Sequence, residues 1–394
     1  MSLELLIIAD DLTGAADTAV QFSKIGIPTA VYLSAEIEFN KFPAVAAVTT
    51  ESRHCSKDEA YQRVIAITEK ALQAGCRRFY KKIDSTFRGN VGAELDALMT
   101  AAGVQRGALV AAYPSAGRTT RNGYQYVNGT PLHETAFARD PREPAAESFI
   151  PAILGAQTSR PVRPAGAAGG AGGDGIMVYN AETGADLRGI AAYLDKSGNM
   201  DVVAGAAGFA EVLAGYYYSG KIPGGSRKQK SRKSRSAPLF VVNGSLNEVS
   251  LNQVEQAKKA SVACFSVPTA AMTESFSGSI IRQLQESGCA MLTTRAIERD
   301  AAPSSMYAEN MGRIAAAVAA AVPAADMAMF GGDTAFAVCH GLRCTALYPR
   351  DEIMPGLTVC APGGGATDGL LILKSGGFGS IDVICIIMEY LKCS

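Results

Sequence analysis

Strand-length apolar runs alternate with stretches whose apolar residues recur at helical spacing, and this alternation limits the fold more than any other feature. Leu5 to Ala9, Thr29 to Leu33, Val45 to Thr50, Phe79 to Ile83 and Ala108 to Ala112 read as strands. Between them, helical spacing follows Asp11, runs from about Lys57 to Gln73 before Gly75, and returns from about Val91 to Ala101. Strands that alternate with helices pair through crossovers, so the sheet is expected to be mainly parallel. Tyr124 to Thr135 breaks the pattern, with Asn128-Gly129 between residues of strand type, and reads as a hairpin-like excursion.

A second series begins further on. Strands are expected at Leu239 to Val242, Cys264 to Val267, Met291 to Thr294, Met327 to Phe330, Leu357 to Cys360 and Leu370 to Leu373. Helices are expected from about Asn247 to Ala260, Phe276 to Glu286, Met306 to Ala321 and Ile381 to Leu391. The chain of 394 residues is too long for one core, and two α/β domains are expected. The proposed division is 1–223, a linker at 224–236 and 237–394. The linker is a basic, Ser-rich run without aromatic residues for base stacking, which favours a solvated connection over a nucleic-acid arm. Ala165 to Gly175, almost entirely Gly and Ala, reads as a flexible surface loop.

Lys plus Arg and Asp plus Glu both number 37, so no net field draws the chain to nucleic acid or membrane. Nine scattered cysteines without a CxxC pair fit reduced thiols rather than disulfides or zinc, and three well-separated histidines argue against a histidine metal site. The N-terminal apolar run stops on two carboxylates, unlike a signal peptide, and the Ala-rich stretch before Phe330 carries Arg313, Pro323 and Asp326, unlike a membrane span. A cytoplasmic location is expected.

The chemistry concentrates at strand ends, where open parallel sheets bind ligands. Leu5 to Ala9 ends on Asp10-Asp11-Leu12-Thr13-Gly14. Asp11 or Thr13 can cap the next helix, but two adjacent carboxylates call for a cation or ligand. Glu51-Ser52-Arg53-His54 follows the strand ending at Thr50, Lys81-Lys82-Ile83-Asp84-Ser85-Thr86-Phe87-Arg88 spans another strand end, and Gly117-Arg118-Thr119-Thr120 lies beyond a fourth. Arginine grips carboxylates bidentately and lysine offers a compact charge, a mixture suited to an acidic, hydroxylated small molecule. The competing expectation is internal: Asp84 pairing with Arg88, and Ser85 or Thr86 capping the following helix.

The second half places glycines after strands instead, at Asn243-Gly244-Ser245, Gly331-Gly332-Asp333-Thr334 and Ser375-Gly376-Gly377-Phe378-Gly379. Such turns let backbone N–H groups approach phosphate. Neither GxxxxGK[ST] nor GxGxxG is present. An acid-binding half beside a phosphate-binding half implies phosphoryl transfer, with Mg2+ and an aspartate among Asp10, Asp11, Asp84 and Asp333, and with the active site in the cleft between the domains.

Ala9-Asp10-Asp11-Leu12-Thr13-Gly14-Ala15, Lys82-Ile83-Asp84-Ser85-Thr86-Phe87-Arg88-Gly89-Asn90, Gly117 to Thr120, Tyr126-Val127-Asn128-Gly129, Phe137 to Pro141, Gly331 to Ala335 and Lys374 to Gly379 together resemble the four-carbon acid sugar kinases, the threonate, erythronate and 3-oxo-tetronate kinases. The resemblance runs nearly end to end. It implies an N-terminal acid-sugar domain, a C-terminal ATP domain and phosphorylation of the terminal hydroxyl. By position it implies catalytic roles for Asp11 and Asp84, substrate contacts at Asp10, Arg53, Lys82, Arg88 and Arg118, and nucleotide contacts at Ser245, Gly331, Gly332, Asp333, Thr334, Gly376 and Gly377. Partners are then an acid sugar and ATP, with a homo-oligomer allowed. The alternative is a sensor that binds both ligands without turnover.

Overall fold

The computed structural model describes residues 3–34, 43–140, 143–166, 173–219, 237–268, 274–294 and 304–393, so the basic run and most of the Gly/Ala stretch lie outside the described residues. The chain divides into two compact units, Met1–Ser226 and Arg227–Ser394.

In the first unit every residue of β1 (Leu5–Ala9) is buried, and α1 (Leu12–Ser23) follows at once. β2 (Thr29–Tyr32), β3 (Val45–Thr49), α2 (Lys57–Gln73), β4 (Phe79–Lys82), α3 (Val91–Ala102) and β5 (Arg106–Val110) continue the alternation. The sequence dictates α2 in full: Ser56 accepts from the Glu59 N–H as N-cap, Asp58 and Glu59 occupy the first turn, and Lys70 lies in the last. Beyond β5 come β6 (Arg118–Arg121), β7 (Tyr124–Val127) and β8 (Thr130–Pro131), a small antiparallel sheet. Asn128 (φ 51°) and Gly129 (φ 80°) turn β7 into β8, as the Asn-Gly pair implies.

The unit is completed by elements that the sequence expectation does not include: α4 (Ile150–Gly155), β9 (Val162–Ala165), β10 (Gly175–Tyr179), α5 (Gly184–Lys196), β11 (Val202–Gly205) and α6 (Ala207–Tyr217). Ala165 and Gly175, expected at the ends of a loop, belong to β9 and β10. Strand order is β2-β3-β1-β4-β11-β5-β10-β9, parallel throughout. Leu6 and Ile8 of β1 pack with Val64 and Ile67 of α2 and with Leu95 and Leu98 of α3 in one core.

The second unit runs β12 (Leu239–Asn243), α7 (Glu248–Lys259), β13 (Cys264–Ser266), α8 (Glu274–Ser287), β14 (Cys289–Thr293), α9 (Ser304–Ala321), β15 (Asp326–Phe330), α10 (Gly332–Gly341), β16 (Ala346–Met354), β17 (Leu357–Gly363), β18 (Leu371–Lys374) and α11 (Val383–Cys393). Its order is β13-β14-β12-β15-β18-β17-β16, parallel except that β17 is antiparallel to both its neighbours. β16 is absent from the sequence expectation because Pro349, Arg350, Asp351 and Glu352 interrupt its apolar pattern, and its pairing with β17 shifts register around the same residues.

Each sheet has a switch point beside its first strand, where the chain crosses from one side of that strand to the other. In the first unit the chain goes from β1 to β2 and β3 on one side and returns to β4 on the other; in the second it goes from β12 to β13 and β14, then to β15. The crevice outside the strand ends at such a switch is where open α/β sheets bind ligands.

Gly205 shows how closely the first sheet is packed, since a Cβ there would lie 2.4 Å from the Val110 carbonyl oxygen and 2.7 Å from the Tyr80 hydroxyl. Gly205→Ala is expected to cost about 1–3 kcal/mol, read as a lower midpoint in thermal denaturation.

Candidate functional site

At the switch point of the first unit, the ends of β3, β1 and β4 lie side by side, Ala9 pairing with Thr49 and with Lys82. Their next residues therefore meet. Arg53 Nε donates to Asp10 Oδ2 at 2.7 Å, one terminal nitrogen donates to Asp10 Oδ1 at 2.9 Å, and the other donates to Asp11 Oδ2 at 2.7 Å. The cation that two adjacent buried carboxylates require is thus internal. Burial works to raise the Asp10 pKa, but Arg53, with help from Lys81 and Lys82, holds it below the ordinary value.

Asp11 also caps α1. Its Oδ1 accepts from the Gly14 N–H at 2.8 Å, while the Thr13 hydroxyl donates to its Oδ2 at 2.9 Å. The cap therefore falls on Asp11 and not on Thr13, whose hydroxyl supports it. Gly14 has no room for a side chain, because a Cβ would lie 2.6 Å from Asp11 Oδ1 and 3.1 Å from Lys82 Nζ. Lys82 Nζ donates to the Ile83 carbonyl at 2.7 Å.

Asp84 and Arg88 pair bidentately, Arg88 Nε to Oδ2 at 2.9 Å and a terminal nitrogen to Oδ1 at 3.0 Å, and the other terminal nitrogen of Arg88 lies 3.6 Å from Asp140. The Thr86 hydroxyl also donates to Asp84, and Phe87 between them takes φ 59°, a strained value for a bulky residue. Neither Ser85 nor Thr86 caps α3; its N-cap is Asn90, which instead donates to the Ser52 and Cys55 carbonyls. Burial favours a neutral Asp84, but Arg88, Arg53 and the Thr86 bond keep its carboxyl well below the usual carboxylate range. Arg118 is buried, donates to the Ala116 carbonyl at 3.1 Å, and lies close enough to Asp84 and Arg88 to feel both charges.

A cavity of about 320 Å³ opens on this cluster, lined by Arg53, His54, Thr86, Arg88, Asn90 and Glu143 among others. His54 and Glu143 meet across it at 2.7 Å. Beneath lies a group absent from the sequence expectation: Lys81 and Glu94, both fully buried, form an ion pair at 3.0 Å. The Ser52 hydroxyl donates to Glu94 and lies 2.6 Å from the Thr50 hydroxyl. Burial raises the Glu94 pKa against the pull of Lys81. α3 carries two carboxylates, Glu94 and Asp96, and only the burial of Glu94 sets it apart, so the sequence alone did not mark it.

In the second unit the ends of β12, β15 and β18 are neighbours, and their turns converge on Ser245. A Cβ on Gly331 would lie 3.4 Å from Ser245 Cβ, and one on Gly376 would lie 2.8 Å from Ser245 Oγ. Gly331 (φ 101°, ψ 147°) holds a conformation that side chains disfavour. Gly332, Asp333 and Thr334 then open α10, with Asp333 exposed. Ser245 thus lies against both Gly331 and Gly376, and Gly377 follows in the same turn as Gly376. Among the described residues no group of three or more His, Cys, Asp or Glu is arranged to hold a metal ion, and no helix is long and apolar enough to cross a membrane.

Residues 5–213 match the family model of a sugar-binding N-terminal domain and residues 240–384 that of a nucleotide-binding C-terminal domain. The chain is 32% identical to a D-threonate kinase of Salmonella typhimurium, covering 99% of both proteins. It is 30% identical to a D-erythronate kinase of Heliobacterium modesticaldum, covering 98% of this chain and 97% of the relative. A solved Salmonella typhimurium protein, 21% identical, shares the fold with a TM-score of 0.78 over 99% of this chain and 100% of its own.

The buried pair under the site carries a test. Lys81→Met leaves Glu94 without its cation and is expected to cost about 3–5 kcal/mol in urea denaturation at neutral pH. Lys81→Met with Glu94→Gln should recover most of that. The loss in the single variant should shrink as pH falls, because a protonated Glu94 leaves no unpaired charge.

Proposed function

This chain belongs to the four-carbon acid sugar kinase family, and we propose that it transfers the γ-phosphoryl group of ATP to the terminal, C4 hydroxyl of an acid such as threonate, erythronate or a 3-oxo-tetronate. The observation that carries the reading is the union of Asp10, Asp11, Asp84, Arg53 and Arg88 on adjacent strand ends beside one cavity. Arg53 is committed to Asp10 and Asp11 and two nitrogens of Arg88 to Asp84, so a substrate carboxylate meets Lys82, Arg118 and the outer terminal nitrogen of Arg88, which lies 3.6 Å from Asp140. Phosphoryl transfer asks little covalent chemistry of the protein and depends on positioning and charge. A carboxylate such as Asp84, ionised throughout the neutral range, accepts a hydrogen bond from the attacking hydroxyl and holds it in line. Asp11, at the start of α1, is the alternative acceptor for that hydroxyl.

Nucleotide phosphates are assigned to the turns at Ser245, Gly331 to Thr334 and Gly376-Gly377, where backbone N–H groups and the start of α10 favour anions. Mg2+ arriving with the nucleotide would offset the charge that develops in transfer. The donors present fit a metal that arrives with the nucleotide, since Mg2+ is commonly held by one or two carboxylates plus phosphates, and Asp333 is the carboxylate at this turn.

The deciding measurement is ATP consumption across a panel of D- and L-threonate, D-erythronate and the 3-oxo acids, with the product's phosphate position read by NMR. Turnover with at least one acid, phosphorylated at C4, is expected. Binding of acid and nucleotide without turnover would instead establish a sensor. Arg88→Ala should lower kcat/KM for the acid roughly a hundredfold, and Asp84→Asn and Asp11→Asn should each reduce kcat. Full turnover in both aspartate variants would remove them from the mechanism.

A further inference from the structure

Lys374 ends β18 with a side chain that is wholly buried. Its Nζ donates to Ser250 Oγ of α7 at 3.0 Å, to the Ser375 carbonyl at 3.2 Å and to the Gly376 carbonyl at 3.0 Å, and it sits 4.8 Å from the centre of the Phe330 ring. The Ser250 hydroxyl donates in turn to the Gly376 carbonyl at 2.8 Å. One helical turn along α7, Gln253 Nε2 faces the carbonyls of Phe378, Gly379 and Ser380 at 3.1, 3.0 and 2.9 Å. Five carbonyls of a single glycine turn are therefore held from behind by two side chains and a hydroxyl.

This arrangement fixes the other side of the turn. In a trans peptide the C=O and the following N–H point in opposite directions, and no cis peptide occurs among the described residues. With the Ser375 and Gly376 carbonyls turned inward, the N–H groups of Gly376 and Gly377 turn outward; with those of Phe378 and Gly379 inward, the N–H groups of Gly379 and Ser380 do likewise. Consecutive outward N–H groups form an anion-binding concavity.

We propose that Lys374 and Gln253 are positioning residues of the nucleotide site: they hold the Ser375 to Ser380 turn so that its N–H groups present themselves to nucleotide phosphate, and the Lys374 charge adds to that field from behind without touching the ligand. The proposal rests on the reading that the second unit binds nucleotide through this turn. Among the described residues no carboxylate pairs with Lys374. The groups facing its amine are the Ser250 hydroxyl, the Ser375 and Gly376 carbonyls and the Phe330 ring, none of which titrates near neutrality. Burial brings the Lys374 pKa down to about 7, so its charge is present below neutrality and fades above it. A bound phosphate favours the charged form.

The experiment is calorimetric titration of the full-length protein with ADP from pH 6 to pH 8.5, on wild type, Lys374→Met, Gln253→Leu and Gly331→Val. At pH 6, Lys374→Met and Gln253→Leu are expected to weaken ADP binding roughly tenfold or more, with acid-sugar binding unchanged. The ratio of the Lys374→Met Kd to the wild-type Kd should fall as pH rises, because the wild type loses the lysine charge; Gln253→Leu should show a constant ratio. That pH-dependent ratio is the readout that a merely structural lysine would not move. If Gly331→Val abolishes ADP binding while Lys374→Met and Gln253→Leu both bind like wild type, the positioning role is overturned and the nucleotide reading stands. If Gly331→Val also binds ADP normally, the nucleotide reading itself fails, and the positioning role with it.

Discussion

Arg53 touches two consecutive aspartates at once, and much of the first unit's ligand surface hangs on that grip. Its guanidinium fastens the end of β1 through Asp10 and the start of α1 through Asp11, which is itself the cap of that helix. Gly89 packs so closely that a Cβ there would lie 3.2 Å from Arg53 Cγ, which brings in the loop between β4 and α3. Two adjacent buried carboxylates would otherwise repel each other or take up a proton. One cation turns that liability into a fixed geometry with the two aspartates held side by side.

The two units solve the same topological problem with different chemistry. Each has a switch point beside its first strand and places its polar residues there. The first relies on side-chain charge, which suits a ligand that carries a carboxylate and several hydroxyls at defined positions. The second relies on the backbone, with glycine allowing the close approach and buried donors setting the direction of each peptide. Carbonyls are the groups that would repel phosphate, and five of the six in the Ser375 to Ser380 turn are occupied from within.

How much was legible in the sequence follows from what kind of physics each part uses. α2 is written locally, in the Ser56 cap, the acidic first turn and Gly75, so its limits could be read directly. β16 depends on its pairing with β17, which overrides Pro349 and three charged residues, and no local pattern announces it. Some elements from α4 to α6 had local signals that the sequence expectation passed over, the apolar run Ile176 to Tyr179 of β10 and the Thr183–Asp186 capping box of α5 among them. Within the site, residue types and strand ends were readable because carboxylates and arginines after apolar runs are conspicuous. Partnership was not. That Arg53 belongs to Asp10 and Asp11, that Asp11 rather than Thr13 caps α1, and that Glu94 reaches Lys81 all depend on which strands become neighbours, and strand order is a tertiary fact. Lys374 stood just past the expected strand Leu370 to Leu373, at the head of a glycine turn, and only its burial and its three acceptors distinguish it.

The cavity over the aspartates is bounded by two kinds of chain. Arg53, Thr86 and Arg88 come from the segments that follow buried strands β3 and β4, whereas Glu143, Pro144 and Ala145 close it from a segment that belongs to no strand or helix. Mutations in that wall can reshape the space around a ligand while leaving the charged floor intact. Homologues could thus diverge in the stereochemistry they accept by drifting along three or four loop positions, and chemistry and selectivity would evolve on separate schedules.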